Sequence, residues 1–264
     1  MSSPNPLLEG LRLPGRIFQL PSRGVFYKNG ELDESIKDGE IHVQPMSALD
    51  EINMKNPDQL YSGAAVTAVF ARCVKGVLKP AELLSKDVDA IMLFLRTVTY
   101  GSNYEFTARH ECADGKGRDA SYIANIDEMI NSMQFIDPTT IDKLYTLELS
   151  TGQIVKLRPN KYQQVIELLK QNQNKLEITF ADEEKNLITM LLGIIQSVDG
   201  ITDPSMIEEW IRVVPSMAVN QIADKINTIS EWGSDLQATC KCRQCGETFK
   251  VEIPVHPSFF YTAS

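Results

Sequence analysis

The sequence predicts an α+β fold, mainly helical, arranged as two duplicated helical lobes that each extrude a β-hairpin. Three observations predict it. Apolar residues recur at helical spacing in several long segments, as with Val88, Ile91, Met92 and Leu95 on one face of "SKDVDAIMLFLRTVTYG". Short alternating runs such as "EIHVQPM" and "LYTLELSTGQIVKLRPN" read as strands, the second folded about a turn at Ser150-Thr151-Gly152. The third is recurrence of order: "GEIHVQP" matches "GQIVKLRP", "CVKGVLKPAEL" matches "SVDGITDPSMI", and "YGS" before His110 and Cys112 matches "WGS" before Cys240 and Cys242.

Composition sets the limits. The chain has 264 residues, 43% hydrophobic and 23% charged, enough for one large core or two modest ones. Its formal net charge of −9 argues against a general nucleic-acid binder, which needs a basic surface to displace counterions from phosphate. No apolar signal segment opens the sequence. The longest apolar run, "LITMLLGII", is about half of what a bilayer span requires. A protein kept in a reducing compartment is expected, where closely spaced cysteines serve metals more often than disulfides.

Residues 1–30 read as an extended docking arm, with Pro14, Gly15, Pro21 and Gly24 among Ile17, Phe18, Val25 and Phe26; an N-terminal strip covering its own core is the alternative. Residues 31–140 form the first lobe. There a strand over "EIHVQPM" precedes a helix N-capped by Ser47, with Asp50 and Glu51 at its positive end. "DQLYSGAAVTAVFARCV" follows as a largely buried helix, in which Cys73 is core. After the segment with Val88 come a strand from Tyr104 to Arg109, a turn at "ADGKG", a returning strand near "DASYIANI", and a short helix broken by Pro138. Residues 141–264 form the second lobe. It holds the hairpin about Gly152, a helix over "KYQQVIELLKQNQ", and "EEKNLITMLLGIIQSV", apolar on most faces and so expected at the centre. Two helices punctuated by Pro204 and Pro215 follow, then the cysteine strand, its partner "FKVEIPV", and an aromatic tail.

Three of the five cysteines fall within "CKCRQC". Cys242-x-x-Cys245-Gly246 has the form of a zinc knuckle, because a tight turn converges two thiolates on one ion and glycine lets backbone amides face sulfur. The best tetrahedral set is Cys112, Cys242 and Cys245, with Cys240 or His110 as the fourth donor. The two hairpins would then pair as a zinc-ribbon-like unit holding one structural zinc, the only cofactor expected. The alternative is a ribbon that has lost its metal and persists as a packed hairpin. No nucleophile beside a base, no phosphate-binding glycine loop and no HExxH helix is present, so the chain reads as a non-enzyme. Phe259, Phe260 and Tyr261 either fold back onto the core or wait for a partner, and aromatics dominate interface hot spots. With Pro21, Ser22, Arg23, Gly24, Phe26 and Tyr27 they make the candidate partner-binding set.

The series "LPSRGVFY", "QPMSALDE", "NPDQLYSGAAV" and "LRTVTYGS" before "HEC", closed by "CKCRQCGETFKVEIPVHPSFF", resembles the T4-type bacteriophage baseplate protein family. The resemblance runs from about Leu20 to Phe260. It implies a subunit of the baseplate hub or a factor that catalyses hub assembly, with no enzymatic site. It also implies knuckle cysteines at Cys112, Cys242 and Cys245, with Gly115 departing from the complete pattern. The expected function is a non-enzymatic tail protein that assembles or chaperones the hub through contacts with other hub proteins, in the host cytoplasm, without nucleic acid or membrane insertion. A permanent subunit of the virion baseplate and a zinc-ribbon regulatory adaptor are the alternatives.

Overall fold

The computed structural model describes residues 15–28, 30–56, 58–59, 62–112, 117–172, 179–253 and 257–260. Nine α-helices and ten short strands lie among them. The strands form four antiparallel sheets, so the class is α+β.

The first sheet has the order β1-β2-β3, with β1 at Arg16–Gln19, β2 at Glu40–Val43 and β3 at Val74–Lys75. Between β2 and β3 stand α1 (Ala48–Met54) and α2 (Ala64–Cys73). Helix α1 starts where expected. Ser47 accepts from the Asp50 amide, and the Asp50 carboxylate accepts from the Ser47 amide, a reciprocal cap that satisfies two orphan donors. The second three-stranded sheet repeats this plan with β6 (Thr146–Glu148), β7 (Ile154–Leu157) and β8 (Ile195–Val198). Two helices, α6 (Tyr162–Asn172) and α7 (Phe180–Ile194), again separate its last two strands.

Helix α3 (Ser85–Tyr100) follows the first sheet and is buried almost continuously from Asp87 to Thr97. It is the central helix of the first core, with Leu20, Ile41, Phe70, Ile91 and Phe94 around it, and Phe18 stacks on Phe94 at 4.2 Å between ring centres. The expectation that "EEKNLITMLLGIIQSV" is central does not hold. Helix α7 ends at Ile194, its last residues continue as β8, and Leu187 and Met190 are 39% exposed. A run of apolar letters long enough for a buried helix here serves one helix face and one short strand. Helices α8 (Pro204–Val213) and α9 (Ser216–Ile229) complete the second core, with Val155, Leu157, Leu191, Ile222 and Trp232. Pro204 occupies the first turn of α8, where its missing amide costs nothing.

Helices α4 (Ile126–Asn131) and α5 (Ile141–Leu144) connect the two cores. Each core is followed by a two-stranded hairpin: β4 (Asn103–Glu111) with β5 (Gly117–Asn125), and β9 (Gln237–Lys241) with β10 (Thr248–Glu252). The second hairpin does not stay on the second core. Leu236, Ala238, Ile253, Phe259 and Phe260 all pack on the first.

Residues 15–28 are a built part of the fold rather than a free arm. Strand β1 pairs with β2 from Arg16↔Val43 to Gln19↔Glu40. Leu20 enters the first core, while Val25 and Phe26 pack on the second. The turn between them needs a close approach: Gly39, at φ +71, lies so near Arg23 that a β-carbon would sit 2.8 Å from the Arg23 carbonyl carbon.

Candidate metal centre

An extended chain sends alternate side chains to one face, so His110 on β4 and Cys112 just beyond it project together. Both are buried. On the other hairpin, β9 ends at Lys241 and the chain turns sharply. The Cys242 amide donates to the Glu247 carbonyl at 2.8 Å, the Gly246 amide to the Cys242 carbonyl at 3.0 Å, and Gly246 adopts φ +75. This tight loop brings Cys242 and Cys245 to the first hairpin.

The Nε2 or Nδ1 of His110 and the Sγ atoms of Cys112, Cys242 and Cys245 all lie within 4.8 Å of one another. The Cys112 and Cys242 sulfurs are 3.7 Å apart, and the Cys245 sulfur is 3.4 Å from His110 Nε2. A tetrahedral ion with bonds of about 2.3 Å to sulfur and about 2.0 Å to nitrogen needs donor separations of about 3.8 Å and about 3.5 Å. Those two separations match a tetrahedral metal, the donor types suit one, and these four residues could hold a metal ion.

The electrostatics agree. The amides of Cys245 and Gln244 point at the Cys242 sulfur and lower its thiol to about 7, which favours the thiolate that binds metal. Burial instead pushes the Cys240 thiol up. Cys240 stands one strand repeat below Cys242, opposite Phe249, and outside the converging donors. The fourth donor of the converging set is therefore His110, whose longer side chain spans the gap that a strand repeat of about 7 Å leaves for cysteine. Phe249 stacks on the His110 ring at 4.5 Å, fixing its plane, and Tyr122 meets Phe249 edge-on at 5.7 Å. The hairpins remain two separate sheets.

The expected partner-binding residues are placed differently. Ser22 and Tyr27 close around the Asp87 carboxylate. The Ser22 hydroxyl donates to it at 2.5 Å, the Ser22 amide at 3.1 Å and the Tyr27 hydroxyl at 2.5 Å. Tyr27 also accepts from the Leu84 amide at 2.9 Å. Ser22 and Asp87 are both fully buried. Pro21 gives its carbonyl to the Ile136 amide, Gly24 donates to the Ser22 hydroxyl, and Phe26 packs edge-on against Tyr145 at 5.2 Å. The Arg23 guanidinium lies 5.9 Å from the centre of the Phe135 ring. Phe259 and Phe260 are 0% and 2% exposed in the first core, so they fold back rather than wait for a partner, while Tyr261 lies outside the described residues. Sequence reasoning missed Asp87. The signal was a carboxylate one position before Val88, on the buried side of an otherwise apolar stripe.

A two-core α+β protein whose two hairpins converge a His/Cys₃ donor set is the class that the fold and site define. A family model described as "T4 bacteriophage base plate protein" matches residues 32–261, and the chain belongs to that family. No curated protein and no solved structure matches it. No described helix is long and apolar enough to cross a membrane.

Proposed function

We propose that this protein is a non-enzymatic assembly factor of the baseplate hub, built from a duplicated lobe, and that it acts by contacts with other hub proteins in the host cytoplasm. The family match over residues 32–261 carries this reading. The geometry supports it. Four protein donors around one ion leave no open position for an activated water, so a bound zinc would be structural. The buried Asp87 is enclosed by Ser22 and Tyr27, out of a substrate's reach. The cofactor of this reading is a single Zn²⁺.

The surface offers what a scaffold needs. On the helices of the second core, Leu169 is 60% exposed, Phe180 82%, Met206 54%, Val213 79% and Met217 58%. Exposed apolar side chains of this size are the raw material of protein–protein contact. They replace the buried Phe259 and Phe260 as the surface to test.

Two measurements test the reading. The tagged protein should copurify with hub proteins from infected cells, and mass spectrometry of purified particles should find it absent. Presence at a fixed copy number would establish the permanent-subunit alternative instead. Failure to copurify with any baseplate protein would remove the hub from the reading.

A further inference from the structure

We propose that a single Zn²⁺ held by His110, Cys112, Cys242 and Cys245 fastens the C-terminal segment, β9–β10 with the Pro257–Phe260 turn, onto the first core. The inference rests on the zinc reading of the centre and adds what the ion does for the fold.

The segment has a long return to make. The chain leaves the second core at Trp232, and within a few residues Leu236 and Ala238 lie against the first. The strands themselves bury little, and the apolar contact is concentrated at their base, where Leu236, Ala238 and Ile253 meet the first core. Across β9 and β10 only Cys240 is buried, and an isolated two-stranded hairpin is marginal in water. No ladder joins it to β4–β5. The contact of the Arg243 guanidinium with the Ser121 carbonyl is long, at 3.4 Å, and exposed.

The donors are divided evenly. His110 and Cys112 come from one hairpin, Cys242 and Cys245 from the other, and Cys112 and Cys242 are 130 residues apart in sequence. Neither hairpin alone completes a tetrahedron. The free energy of the third and fourth metal bonds is therefore available only when the hairpins are together, which makes metal binding and docking one linked equilibrium. At its far end the segment is anchored differently, by Phe259 against Tyr104 at 4.7 Å and under the Arg96 guanidinium at 5.8 Å. Loss of the ion leaves that aromatic seat, Ile253 in the first core and the Phe249 ring contacts as the remaining anchors, and opening of the seat exposes Phe259 and Phe260.

The test uses the full chain purified without chelator. Metal analysis should give about one zinc per chain. Hydrogen exchange is then measured before and after chelation, with β6, β7 and β8 of the second core as the internal reference. Exchange in β9, β10 and residues 257–260 should accelerate on the order of 100-fold, with the reference unchanged and protection restored by added Zn²⁺. Cys242→Ser and His110→Ala should lose the metal; Cys240→Ala should keep it. Because Cys242→Ser also changes a buried side chain, chelation of the wild type is the deciding arm. Zinc present with no change in C-terminal exchange on its removal overturns the fastening and leaves the zinc reading standing. A wild type that neither carries nor takes up zinc overturns both. Loss of zinc from Cys240→Ala, with His110→Ala retaining it, overturns the ligand set.

Discussion

The Asp87 cluster and the His/Cys centre each tie segments that are distant in sequence, 65 residues for Ser22 to Asp87 and 130 for Cys112 to Cys242. They do so in opposite settings. Asp87 is sealed within the first core, where three donors converge on one carboxylate. The His/Cys donors sit at the tips of two thin hairpins, with Cys245 exposed. In a dry interior, ordinary hydrogen bonds suffice as a tie because leaving them unmade is expensive. At hairpin tips where one donor is exposed and three only just buried, isolated hydrogen bonds would be worth less, and a set of donors that could hold a metal stands there instead.

That contrast can be broken most directly at Asp87. Asp87→Ala strands the Ser22 amide, the Ser22 hydroxyl and the Tyr27 hydroxyl in the core, and should lower unfolding free energy by on the order of 4 kcal/mol, read from urea denaturation. A loss under about 1 kcal/mol would mean that water reaches the cluster, since only solvent could replace the carboxylate.

The pH dependence comes next in size. Burial raises the Asp87 carboxyl to about 6 despite its hydrogen bonds, and burial likewise raises Asp89 to about 6. An unfolded aspartate titrates near about 3.9. Between about pH 4 and pH 6 the folded chain therefore holds protons that the unfolded chain has released, so each group's contribution to stability falls as pH rises through that window and levels off above it. The expected decline from Asp87 is about 3 kcal/mol. Subtracting the Asp87→Asn curve from the wild-type curve isolates it, because titration of the metal centre is common to both. A flat difference would place the folded Asp87 near its ordinary value. Tyr27→Phe is milder: Asp87 keeps both Ser22 donors and the Leu84 amide loses its acceptor, for about 2 kcal/mol in the same denaturation assay.

Much of this was legible in the chain itself, for reasons that are local. The Ser47 cap with Asp50, the helix starts at Pro204 and Ser216, the turn at Gly152 and the Cys242–Gly246 knuckle each depend on a few adjacent residues with fixed conformational preferences. What stayed hidden was pairing at a distance. "LPSRGVFY" reads as a docking peptide, and it does dock, but onto Asp87 and between the two cores of its own chain. Its apolar and hydroxyl side chains look the same whether the receiver is intramolecular or not. The tail aromatics were ambiguous for the same reason, and only the return of β9–β10 to the first core shows that Phe259 and Phe260 are interior. The choice of His110 over Cys240 depended on side-chain reach across two hairpins, which spacing within either one does not encode.

The smallest expected effect sharpens the comparison from the hairpin side. Arg243 is the basic residue within the knuckle turn, and its guanidinium reaches the Ser121 carbonyl of the other hairpin at 3.4 Å from an exposed position. If surface polarity helped to hold the hairpins, removing it would weaken the pair. Exposed contacts of this length lose to water and to side-chain entropy, so Arg243→Ala should change stability by less than about 0.5 kcal/mol and leave hydrogen exchange in β10 unaltered. Metal affinity of the same variant should change by no more than a few-fold. A variant whose β10 amides exchange as fast as those of the chelated wild type would show that surface contacts carry the docking, and the distinction drawn between a dry tie and a metal tie would then have to be abandoned.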